Sequence, residues 1–425
     1  MNVVGIIAEY NPFHNGHLFH LQAAKENCAA RFTVCVLSGH FLQRGEPALF
    51  DKWSRAAMAV AAGADIVFEL PWVYACRSAG IFARGGVELL AATGIVTHLC
   101  FGSEQGSIRQ LKEIALLLAA EPTVFRTLLQ DQLQLGKSFP AARFAALREY
   151  GRLAEPAGLQ LAPEVLAYPN NTLGIEYLIA LEKLGNPLVP VTIKRCTANY
   201  HDQHIAGPIA SASAIRHLLA VRGLSAELKQ VIPSPVAQIM QNCAVQEQGP
   251  VFFAAFTRMV LACLRRAPLE ELALIHDVNE GLEYKLKETA NTASSLEDLL
   301  TALKSKRYTR TRLQRILIYC LLNFQKHTAE ALAEAGPQYL RVLAFSEQGQ
   351  ILLKQMRKSA HLPIIHRPAI HTTGTARSSA LARMLLLDIL STDLYALGCP
   401  HPLRGGLDYL KGAVRFPKDM PSPTP

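Results

Sequence analysis

Long apolar runs are missing from this chain of 425 residues: no stretch of about 18 uninterrupted apolar residues occurs, which excludes an ordinary transmembrane helix. The opening MNVVGIIAEYNPFHNGH lacks the basic flank and small-residue cleavage site of a secretory leader, so a cytoplasmic protein is expected. Paired cysteines are missing too. The nine cysteines are odd in number and scattered, and none forms a CxxC pair, so neither a structural zinc site nor a thioredoxin-like centre is indicated. Reduced thiols in mostly apolar settings fit best. Internal repeats are absent, and only the Pro-rich end from Lys418 reads as disordered. A lysine motif of the KMSKS kind is also absent, which argues against a class I aminoacyl-tRNA synthetase.

What is present is a positive charge in one half. Residues 1–250 carry 20 Lys+Arg against 19 Asp+Glu, and residues 251–425 carry 23 against 15. The second half is therefore expected to meet a polyanion.

The first half alternates strand and helix patterns. Val3–Tyr10, Phe32–Leu37, Ile66–Glu69, His98–Gly102 and Val189–Ile193 read as strands. Leu18–Asn27, Lys52–Ala62, Ser78–Ala92 and Ile108–Ala119 read as helices between them. This predicts an α/β fold, a Rossmann-like core with a parallel sheet and right-handed crossovers. The core is placed at 1–230, with 120–188 a mostly helical insertion. Residues 231–425 are expected to form a mainly α-helical basic domain, entered through a linker at Pro233 and Pro235, with no strand before Leu362–Ile365.

Ligands of such sheets lie beyond the carboxyl ends of the strands. After the first strand comes His14-Asn15-Gly16-His17, at the start of a helix whose free N–H groups and dipole favour phosphate. Two imidazoles three residues apart can donate to phosphate oxygens as charge develops, although two unrelated surface histidines would give the same pattern. Metal ligation lacks a third ligand nearby. A second phosphate-binding candidate is Ser211-Ala212-Ser213-Ala214-Ile215-Arg216, where Ser211 and Ser213 open a helix and Arg216 offers a planar, permanent charge. Gln43-Arg44-Gly45-Glu46 reads as a substrate loop, with a simple Arg44–Glu46 pair as the alternative. Lys52 and Arg55 read as a helix face, and Asp65 and Glu69 as capping or sheet-edge residues. KSKRYTRTRLQR, holding Lys304, Lys306, Arg307, Arg310, Arg312 and Arg315, fits a helix along an RNA backbone, with Tyr308 free to stack on an unpaired base.

Taken in order, EYNPFHNGH, SGHFLQRGEPALFDKWSRA, GADIVFELPW, FGSE, PNNTLGIEYL, IKR…YHD and SASAIR resemble the tRNA(Met) cytidine acetate ligase family, within the HIGH-type nucleotidyltransferase superfamily. Cys196–Asn199 is less typical of the pattern. The resemblance implies an enzyme that makes acetyl-adenylate from ATP and acetate. It then acetylates the wobble cytidine of elongator tRNA(Met), giving N4-acetylcytidine. It also implies that Ile7, Ala8, Glu9, Tyr10, Asn11, Pro12, Phe13, His14, Asn15, Gly16, His17, Leu18, Phe19 and His20 wrap ATP. Gly102, Asn170 or Asn171, and Arg195 would contact the nucleotide, with Mg2+ arriving as part of the ATP complex. Residue chemistry alone leaves two other readings open: a small-molecule nucleotidyltransferase and a non-catalytic RNA-binding protein.

Overall fold

The computed structural model describes residues 1–154, 162–195, 209–373 and 378–416. The segment from Cys196 to Asp202 and the end from Lys418 lie outside the described residues. Five strands, β1 (Val3–Ala8), β2 (Phe32–Ser38), β3 (Ile66–Leu70), β4 (His98–Ser103) and β5 (Val189–Lys194), form a parallel sheet in the order β5-β4-β1-β2-β3. The sequence-predicted strands coincide with these to within two residues.

Strands buried on both faces need apolar residues at every position rather than alternation. VVGIIA meets that requirement, and FTVCVLS does so except at Thr33 and Ser38, both fully buried. Successive side chains point to opposite faces, and the core divides accordingly. Val34, Val36 and Phe68 pack with the helices Ala79–Ala92, Ile108–Ala120 and Pro169–Lys183 on one face. Val4, Ile6, Cys35 and Val67 pack with Asn15–Asn27, Lys52–Ala61 and Ala212–Arg222 on the other.

The second half is mainly helical but also extends the sheet. β6 (Leu340–Phe345) lies antiparallel to β3, pairing Ile66 with Phe345 and Glu69 with Arg341. β7 (Ile364–Ile365) and β8 (Val414–Arg415) each run parallel to β6. β6 escaped the sequence reading because LRVLAF, buried on both faces, has no alternation and carries an arginine. Nor is there a linker at Pro233 and Pro235. Both prolines open the helix Ser234–Val245, at positions where a missing N–H costs nothing, and that helix packs on Lys52–Ala61.

Candidate functional site

The strand order reverses direction at β1 and β4, which are neighbours whose chains leave toward opposite sides of the sheet. At such a switch point the carboxyl edge of the strands forms the crevice in which sheets of this kind bind their ligands. His14 is the N-cap of the helix Asn15–Asn27. Its Nδ1 accepts a hydrogen bond from the Gly16 N–H at 3.0 Å, and the His14 N–H donates to His17 Nδ1 at 3.3 Å. The two rings lie 3.8 Å apart at 30°. A neutral imidazole that accepts at Nδ1 carries its proton on Nε2. The backbone therefore sets both histidines as Nε2–H donors.

Burial, followed by Arg195 and Arg216, pushes the His14 pKa down to about 3. Burial, with His14 and Arg195 next, holds His17 well below its usual value. His20, one turn further on, is pushed down to about 4 by burial and Arg195. Neutral donors and two guanidinium groups face one another here. Arg195 donates to Asn170 Oδ1 at 3.3 Å, and Arg216 to the Asn11 carbonyl and Ser213 Oγ at 3.3 Å each. Among the described residues neither Arg195 nor Arg216 has a carboxylate within ion-pair distance, and the Arg216 charge acts on buried Glu9.

A stability prediction follows for acid. The unfolded chain protonates these histidines below about pH 6.5, whereas folded His14 stays neutral to about pH 3. The unfolded state then binds more protons, so stability falls as pH drops from 6.5 toward 3. The slope is about 1.4 kcal/mol per pH unit for each such histidine. Urea unfolding between pH 7 and 4 is expected to show a shallower fall in His14→Asn than in the unsubstituted protein.

The other predicted ATP contacts divide by position. Gly102 stands between His20 and Arg195: a Cβ there would lie 3.3 Å from Arg195 Cγ and 3.7 Å from His20 Cδ2. Asn170 is bridged to Glu104, whose carboxylate also accepts from the backbone N–H groups of Asn170 and Asn171. Asn171 is buried and spent on structure, accepting from the Gln105 N–H and donating to the Val165 carbonyl. Of the two, Asn170 is the one beside Arg195. Tyr10 and Phe13 are buried packing for His17, with ring centroids 4.9 and 5.6 Å from it, and Leu18 is likewise core. Asn11 accepts from the Leu49 N–H, and Phe19 is largely exposed. Ser211 caps its helix by accepting from the Ala214 N–H.

Gln43-Arg44-Gly45-Glu46 forms a tight hairpin, closed by the Phe41–Pro47 bridge and a Leu42 N–H to Glu46 carbonyl bond of 2.8 Å. The Gln43 N–H donates to Glu9 Oε1 at 2.7 Å, which ties the hairpin to the crevice. Burial raises the Glu9 pKa against the pull of Arg44, Arg216 and Arg55. Glu46 accepts from Gln314 Nε2 at 3.2 Å. Gly45 has φ +76° and sits under the Gln314–Arg315 backbone, where a Cβ has no room.

Lys52 and Arg55 are not a solvated helix face; both are fully buried. Arg55 donates to the carbonyls of Phe50, Glu9, Ser38 and Gly39, clamping the ends of β1 and β2 behind the crevice. Lys52 contacts Glu69 and Asp408 at 2.8 Å each, and Arg341 of β6 reaches the same two carboxylates. Sequence reasoning missed this network, since nothing near Lys52 in the chain points to Arg341 or Asp408.

The basic segment also differs from expectation. Residues 304–309 form a turn, and a helix begins only at Arg310. Arg307 pairs with Glu280 at 2.6 Å, Arg310 with Glu297, and Arg312 with Asp277 at 3.3 Å. Tyr308 is buried, donates to the Asn279 carbonyl, and lies under the Arg312 guanidinium, so its ring is not free to stack on a base. Arg315 is buried against the Gln43 carbonyl. Lys304 and Lys306 are exposed.

Residues 1–405 match the family described as HIGH Nucleotidyl Transferase. The tRNA(Met) cytidine acetate ligase of Syntrophomonas wolfei subsp. wolfei is 41% identical over 418 residues, covering 97% of this chain and 99% of that protein. The ligase of the same name from Alkaliphilus metalliredigens is 42% identical over 402 residues, 93% and 94% of the two chains. This chain belongs to the tRNA(Met) cytidine acetate ligase family. Its fold is that of the family's solved members as well. Thermotoga maritima TmcAL bound with alpha-thio ATP superposes with a TM-score of 0.90 at 34% identity, covering 98% of this chain and 100% of that one. The apo form of that ligase gives a TM-score of 0.92. Among the described residues no helix is long and apolar enough to cross a membrane.

Proposed function

We propose that this ligase activates acetate and transfers it to the wobble cytidine of elongator tRNA(Met). The observation that carries the reading is the β1–β4 crevice, where two neutral Nε2–H imidazoles converge with the guanidinium groups of Arg195 and Arg216, neither ion-paired among the described residues. In the first step an acetate oxygen attacks the α-phosphorus of ATP and the bond to the β-phosphate breaks, releasing pyrophosphate. His14 and His17 donate to the phosphate oxygens as negative charge builds on them. Arg195 and Arg216 hold the nucleotide, and Gly102 allows it to lie close to the end of β4. In the second step the exocyclic amine of cytidine attacks the acetyl carbon, its proton leaves, and AMP departs. Gln43 and Arg44 sit where the acetyl group and the incoming base meet.

ATP enters as its magnesium complex. Magnesium ordinarily stays on phosphate and water oxygens with few protein ligands, and among the described residues no group of three His, Cys, Asp or Glu could hold such an ion. The test is to incubate the protein with radiolabelled acetate, ATP and tRNA(Met). Label is expected in the RNA, with pyrophosphate and AMP as co-products and no requirement for acetyl-CoA. Labelled RNA only when acetyl-CoA replaces acetate and ATP would overturn the reading.

A further inference from the structure

An enzyme that acts on tRNA must hold a polyanion, yet the arginines at 307, 310 and 312 each carry a carboxylate partner and Arg315 is buried. The uncompensated charge lies elsewhere. From residue 348 to 387 the chain has six Lys or Arg and no Asp or Glu, so these 40 residues hold most of its net charge of +9. The stretch begins in the helix Glu347–Ser359, which buries Leu352, Leu353 and Met356. Lys354, Arg357 and Lys358, at spacings of three and four, share its exposed side. The chain then passes through exposed His361, forms β7, and emerges at exposed His366 and Arg367. Burial and then the Arg357 charge lower the His366 pKa, so the helix end and the segment after β7 lie within electrostatic range of each other. Lys354, Arg357, Lys358 and Arg367 have no carboxylate within ion-pair distance among the described residues.

The patch lies away from the crevice. The residue just before the helix, Ser346, bonds to the Asp65 carbonyl ahead of β3. His361, two residues past its end, donates its N–H to the Ala92 carbonyl ahead of β4. Both anchors are at the amino edge of the parallel strands, whereas the crevice is at the carboxyl edge. The strands are about 20 Å long at roughly 3.3 Å per residue, a distance that a folded tRNA spans easily.

We infer that Lys354, Arg357, Lys358 and Arg367 form a second RNA contact, gripping the phosphate backbone of the tRNA away from the base that is acetylated. Four exposed cations with no internal anion release counterions when they meet phosphates, and the gain in affinity is independent of sequence. Cations in the last turn of a helix also suit its dipole, but Arg367 lies outside the helix and gains nothing from it.

The inference rests on the ligase reading, and the experiment separates the two. The variant K354A/R357A/K358A/R367A and the charge-keeping variant R357K/R367K are compared with the unsubstituted protein. Three quantities are measured: ATP affinity, tRNA affinity from 50 to 300 mM KCl, and acetylation. The alanine variant is expected to bind ATP normally and tRNA at least tenfold more weakly. Its log–log salt slope should flatten by about 0.7–0.9 per lost phosphate contact, or about 3 for all four. The lysine variant is expected to match the unsubstituted protein. If the unsubstituted protein acetylates tRNA and the alanine variant binds it with the same affinity and slope, the patch is a solvated face and the inference fails. If the unsubstituted protein does not acetylate tRNA at all, the ligase reading itself fails.

Discussion

Alanine at His17 is expected to slow acetyl-adenylate formation by about 100- to 1,000-fold, the usual loss when one transition-state donor is removed. ATP affinity should change far less, because the proposed phosphate contacts of Arg195 and Arg216 are left in place. The His17 ring supplies an Nε2–H whose tautomer is set by the His14 backbone. His14→Ala should cost a similar factor in rate and also about 1 kcal/mol of stability, since His14 is the N-cap of the helix. His14→Asn restores a cap without restoring the imidazole, so stability should recover while the rate stays low. The measurement is ATP–pyrophosphate exchange with acetate, run with and without tRNA, alongside thermal unfolding. Full exchange activity in both alanine variants would show that the histidines are structural only.

Lys52→Met is expected to destabilise the protein by about 3–5 kcal/mol, the range for breaking a buried ion network by removing one partner. Glu69 and Asp408, both nearly inaccessible, would be left to share Arg341 alone. Burial by itself would raise the Asp408 pKa, but Lys52 and Arg341 hold it well below the usual carboxylate range. The network also touches Gly39 and His40, just ahead of the Gln43–Glu46 hairpin. His40 accepts the Lys52 N–H, and a Cβ on Gly39 would come within 2.9 Å of Glu69 Oε1. Urea unfolding checks the magnitude. The double variant Lys52→Met/Asp408→Asn should lose less than the two single losses added together, because the pair is coupled. Additive losses would show that the two residues act independently.

The parallel strands, the helices between them and His14-Asn15-Gly16-His17 were legible in the sequence because each depends on neighbours a few residues away. Runs of β-branched residues make buried strands, and a strand followed at once by a helix start puts His14 and His17 at the carboxyl edge of the sheet, wherever the rest of the chain goes. Which charges would be free was not legible. Arg307, Arg310 and Arg312 look alike with Lys354, Arg357 and Lys358 in one dimension. Only the fold brings Glu280, Glu297 and Asp277 to the first group and leaves the second without an ion pair among the described residues. Lys52 and Arg55 likewise read as a wet helix face until β6 and the short helix Leu407–Leu410 close over that region. Arg341 and Asp408 then arrive from more than 280 residues away. The energy of a charge depends on its burial and on the charge opposite it, and both are set by tertiary contacts that no local pattern encodes.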